Sequence, residues 1–77
     1  MSHVFSLAKL KIGQIGEIVE LKENGKTTIM SEKLGIAKGM SVIVLQQAVD
    51  WLVQIGSSQI TLSKEMLNNI QVKEANI

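Results

Sequence analysis

Apolar positions along this chain fall into short runs separated by glycines and polar turns, not into long helical stripes. "EIVELK" (17–22) places Ile18, Val19 and Leu21 in a β-favouring stretch, but the period-two alternation is imperfect. Gly16, just before it, suits a bulge or a close backbone approach. "SVIVLQQ", from Ser41, is apolar at four successive positions, Val42 to Leu45, which a strand spreads over both faces, so both call for cover. "WLVQI" follows a turn at Val49-Asp50 and puts Trp51, Val53 and Ile55 on one face. Gly56-Ser57-Ser58 is a second tight connection, after which "QITL" directs Ile60 and Leu62 inward. These segments predict a three-stranded meander, and a final "IQVK" adds Ile70 and Val72 as inward positions.

Helical signals are brief. Asn24-Gly25 marks a turn, Thr27 or Thr28 can cap a short helix carrying Ile29, Met30 and Leu34, and Gly35 ends it. Ser63 is a good N-cap for a second short helix, "KEMLNN", with Glu65 in the first turn, where the helix dipole favours negative charge. The opening segment, with Phe5, Leu7, Leu10 and Ile12, reads as an irregular lead-in. The expected architecture is one domain over residues 1–77, mainly β: a small SH3-like, partly open barrel of about five strands with one or two short helices.

Composition narrows this further. Apolar residues make up 45% of the 77 residues and charged residues 19%, which excludes a disordered chain. At this length about 60% of the unfolded surface can be buried, enough for one small core. There is no cysteine, so packing alone must hold that core, and an intracellular setting is expected. No apolar run approaches the roughly 20 residues of a spanning helix, and "MSHVFSLAKLKIG" lacks the features of a secretory signal. All eight cations are lysines, scattered among seven acids for a net charge of +1. Without the arginine fork or a basic cluster, nucleic acid is not an expected partner.

The catalytic inventory is nearly empty. His3 is the single histidine and stands near a terminus, so a serine-histidine-acid triad has no secure base. Glu17, Glu20 and Glu23 are spaced by three, which in a strand sends neighbours to opposite faces. Glu32, Asp50 and Glu65 could support no more than a weak oxygen-ligand site. Gly35 to Gly39 lacks the Gly-Lys-Ser/Thr ending of a phosphate loop. Neither an enzyme nor a resident cofactor or metal is expected.

Three stretches carry a family resemblance. "LGIAKGMSVIVL" resembles the leucine-glycine-isoleucine, spacer, glycine and strand signature of the ferrous iron transport protein A (FeoA) family. "LAKLKIGQIGEIVEL" is similar to the family's opening, with Leu7, Leu10 and Gly13 at matching places. "WLVQIGSSQITLSKEMLNNIQV" is similar to its closing hairpin and helix, through Gly56, Ile60, Leu62, Leu67, Ile70 and Val72. Departures are Ser31 and Glu32 where the family has apolar residues, with Ile29 and Met30 displaced earlier, and a proline-free "AVDW" turn. The resemblance implies an SH3-like accessory protein of ferrous iron uptake, cytoplasmic, that binds the cytosolic domain of the ferrous iron permease without entering the membrane. A metal-responsive regulatory module, related to the C-terminal domain of iron-dependent repressors, is the alternative. The residues expected at the partner surface are Leu34, Ile36, Met40 and Trp51, with Leu34 and Ile36 also fitting plain core.

Overall fold

A computed structural model describes residues 3–22 and 33–75. Its elements are β1 (Val4–Ser6), a 3-10 turn (Leu7–Lys9), β2 (Ile15–Leu21), β3 (Ser41–Gln47), β4 (Trp51–Ile55), β5 (Ser58–Leu62), α1 (Lys64–Asn69) and β6 (Ile70–Glu74). The six strands form one antiparallel sheet in the order β1-β6-β2-β3-β4-β5. The sheet is not closed, since β1 and β5 lie at its two ends. The mainly β, partly open architecture is as expected, with six strands in place of about five. The turn at Asn24-Gly25, the caps at Thr27 and Thr28, and the departures at Ile29, Met30, Ser31 and Glu32 lie outside the described residues.

Alternation places the core on one face of this curled sheet. Ile18, Val42, Val44, Val53, Ile55, Leu62, Ile70 and Val72 are buried there. Leu7 and Leu10, together with Met66 and Leu67 of α1, are buried in the same cluster and close the open side. The N-cap expected at Ser63 is present, its Oγ accepting from the Met66 N–H at 3.4 Å. α1 passes directly into β6, and the Asn69 carbonyl accepts from Lys22 N–H at 2.7 Å.

The lead-in is not irregular. β1 pairs with β6, Phe5 opposite Val72, and Ser6 then caps the 3-10 turn by accepting from the Ala8 N–H at 3.1 Å. A strand of three residues is too short to show a period, which is why it escapes a pattern search.

Two bulges explain the irregular apolar spacing. The β2/β6 register shifts between Ile18 and Glu20, so Val19 is an extra residue and Leu21 returns to the core side opposite Ile70. The β3/β4 register shifts between Val44 and Gln46, which makes Leu45 the extra residue. The four-residue apolar run therefore is not covered on both faces: Val42 and Val44 are buried, Ile43 is half-buried and Leu45 stays exposed. Gly16 provides a close approach, not a bulge. A Cβ there would meet Leu10 Cδ1 at 3.1 Å, Val72 Cβ at 3.3 Å and the Lys73 carbonyl at 3.4 Å.

Candidate partner surface

The segment from Leu34 to Met40 is a shaped turn held against β2. Gly35, at φ 72°, ends the helical turn containing Lys33 and Leu34, using the left-handed conformation that glycine adopts without cost. The Gly39 N–H then donates to the Ile18 carbonyl at 2.7 Å, while the Ile18 N–H donates to the Met40 carbonyl at 2.9 Å. These two bonds fix the loop across the middle of β2. Ile36 points into the core and is only 5% exposed. Leu34 and Met40 are half-buried against the same cluster, with Met40 Cε extending toward Gly56, where an added Cβ would lie 2.9 Å away.

Trp51 stands elsewhere. It begins β4, opposite Gln47 on one side and Leu62 on the other, and Gly56 follows the far end of the same strand. The two ends of β4 are about 13 Å apart along the strand at about 3.3 Å per residue. The four residues expected at a partner surface are thus not brought into one patch: Leu34, Ile36 and Met40 share one segment, and Trp51 lies at the other end of β4.

Of the four exposed large apolar side chains among the described residues, Val4 lies on β1 and the other three lie toward the Trp51 end of β4. Ile12 is 60% exposed, Leu45 37% and Val49 83%. The Gly13 N–H donates to the Val44 carbonyl at 2.8 Å and Gln47 Nε2 donates to the Leu10 carbonyl at 2.9 Å, so the turn bearing Ile12 runs beside the bulged end of β3. Val49 occupies the short connection from β3 to β4. Sequence reasoning passed over these three, although an apolar residue inside the turn "AVD", and another beside Gly13, are the signals that mark them.

Charge lies mostly on other elements. From Ser41 to Ser63 the only ionisable residue is Asp50, so β3, β4 and β5 carry no charge at all. The ion pair between Lys73 Nζ and Glu17 Oε2, at 3.7 Å, bridges β6 and β2. Both partners are solvent-accessible, which limits such a pair to under about 1 kcal/mol. His3 stacks on Phe5 with ring centroids 5.6 Å apart. Among the described residues no three His, Cys, Asp or Glu side chains group as metal ligands, and no helix is long and apolar enough to cross a membrane. Glu32 lies outside the described residues.

The described residues thus form a small open SH3-like sheet with a shaped loop across β2 and three neighbouring uncharged strands, β3, β4 and β5. The FeoA domain model matches residues 5–74, and the chain belongs to the FeoA domain family. That family is an accessory domain of iron transport and is not known as an enzyme family. Among solved structures, the chain is similar to a FeoA-like protein from Clostridium acetobutylicum, at 15% identity and TM-score 0.89, over 100% of this chain and 93% of that one. It is also similar to an iron uptake regulatory protein (FeoA), at 16% identity and TM-score 0.84, over 95% of this chain and 99% of that one. A manganese-dependent transcriptional repressor shares the fold at 18% identity and TM-score 0.88, with 97% of this chain matching only 44% of the repressor. No curated protein matches by sequence.

Proposed function

We propose that this protein is an accessory factor of ferrous iron uptake, acting in the cytoplasm by binding the cytosolic domain of the ferrous iron permease, ferrous iron transport protein B, and modulating it. The observation that carries this reading is the FeoA family match across residues 5–74, a span that includes nearly every strand position of the fold. Binding is by protein surface, with no cofactor, nucleic acid or membrane insertion required, and the permease draws the protein to the inner face of the membrane. Half-exposed Met40 and Trp51 suit this role, because a flexible thioether and a large aromatic gain contact area at low cost. Ile36 contributes by shaping the loop from the core, and Leu34 supports it from the preceding turn.

The test is an affinity measurement against the purified cytosolic domain of the permease, with Met40→Gln and Trp51→Gln made separately. Loss of tenfold or more in Trp51→Gln, equivalent to about 1.4 kcal/mol, is expected from the larger apolar grouping at that end. Full affinity in both variants would overturn the surface, and no binding by the unaltered protein would overturn the partner.

The likeness to the manganese-dependent repressor favours a second reading, a metal-responsive module whose association changes when ferrous or another divalent ion binds weakly. Localised, saturable backbone NMR shifts on titration with the ion would support it. A spectrum unchanged by the ion would leave the adaptor reading alone.

A further inference from the structure

An open sheet has two free edges, and here they differ. β1 is only three residues long, and α1 packs near both edges. β5 is five residues long, "SQITL", and pairs with β4 in unbroken register from Trp51/Leu62 to Ile55/Ser58. Natural sheet edges are guarded by lysines, prolines, bulges or inward charges, because an unpaired row of N–H and C=O groups templates another strand. β5 has none of these guards.

The direction of its backbone groups follows from the hairpin. Gly56-Ser57 is a two-residue turn with Gly56 at φ 61° and no positive φ at Ser57, the pattern of a II′ turn. Ile55 and Ser58 are then a hydrogen-bonded pair, and the alternation of an antiparallel ladder gives Val53/Ile60 and Trp51/Leu62 the same character. The Gly56 N–H, which donates to the Ser41 carbonyl of β3 at 3.1 Å, agrees with this parity. The N–H and C=O groups of Gln59 and Thr61 therefore face away from β4, and among the described residues no backbone partner outside the sheet ladders meets them.

We infer that β5 is a dimerisation edge, adding antiparallel to β5 of a second copy of this chain about a two-fold axis at Ile60. In that register Gln59 exchanges both backbone hydrogen bonds with Thr61 of the second copy, and Thr61 with its Gln59, while the two Ile60 residues face each other. Charge selects this occupant. β5 is neutral, and the whole stretch from Ser41 to Ser63 carries one ionisable residue, so neither an acidic nor a basic strand finds a complement here. Two copies of the neutral edge meet without repulsion. Continuing the same register sets Lys64 opposite Gly56 of the second copy, so no like charges oppose each other along the seam. The inference rests on the sheet alone and is independent of the permease reading.

The experiment uses the full chain, with sedimentation equilibrium from micromolar to millimolar concentration and residue-resolved amide hydrogen exchange. The mass rises from 8.4 kDa toward twice that value, and the Gln59 and Thr61 amides slow with concentration more than those of Ser58, Ile60 and Leu62, already bonded to β4. Thr61→Pro removes an outward N–H without touching the β4 ladder, and Thr61→Lys restores an edge guard at an exposed site. Either variant weakens association at least tenfold with the fold retained; should the proline variant fail to fold, the lysine variant decides. A protein that stays monomeric to millimolar concentration, a dimer that persists in Thr61→Lys, or edge amides that do not slow with concentration would overturn the assignment.

Discussion

The two halves of the sheet share one core and differ in everything outside it. β6 and β2 carry Glu17, Glu20, Lys73 and Glu74, with Lys22 just after β2, and are joined by the Lys73–Glu17 pair. β3, β4 and β5 carry no charged residue, and Leu45, Val49 and half-exposed Trp51 lie within this second half or its connections. Burial is alike inside and the chemistry is unlike outside. The charged strands present a solvated face, whereas the neutral strands expose apolar side chains and an unpaired backbone edge, the part proposed above to meet other chains.

The comparison breaks most visibly in the core, where the halves should behave alike. Ile70→Ala in β6 and Leu62→Ala in β5 remove side chains that are 0% and 1% exposed, and each is expected to cost about 2–5 kcal/mol in a urea melt. A several-fold difference between them would mean that one half is held together separately. Gly16→Ala comes next, at about 1–3 kcal/mol, because the new methyl meets Leu10, Val72 and the Lys73 carbonyl within 3.4 Å.

Surface changes should then divide by half. Trp51→Gln weakens permease binding about tenfold while leaving the amide spectrum dispersed. Lys73→Ala is the smallest effect: under about 1 kcal/mol of stability, reduced further by added salt, and no change in permease affinity. A loss of affinity in Lys73→Ala comparable to that in Trp51→Gln would erase the distinction.

How much of this was legible in the sequence follows from the length scale of each feature. β3, β4, β5, β6 and the Ser63-capped helix were readable, because five or more residues of alternation or a cap with its helix stand in contiguous sequence. β1 was not, since three residues hold no period. The bulges at Val19 and Leu45 depend on what the neighbouring strand does, and the imperfect alternation of "EIVELK" and the unbroken apolar run of "SVIVLQQ" were their traces. The partner surface was the least legible part. Leu34, Ile36, Met40 and Trp51 are recognisable as residue types, but only the register shows Trp51 at one end of β4 and Met40 at the other. The exposure of Ile12 likewise depends on a turn docked beside β3 through Gly13.

The most direct measurement is a backbone NMR titration of the labelled protein with the purified cytosolic domain of the permease. Saturable shifts concentrated on Ile12, Leu45, Val49 and Trp51, with β6 and the Glu17–Lys73 face unmoved, are the result predicted for an adaptor working through its neutral half. A spectrum that does not change at saturating permease domain, or a footprint confined to β2 and β6, would contradict it.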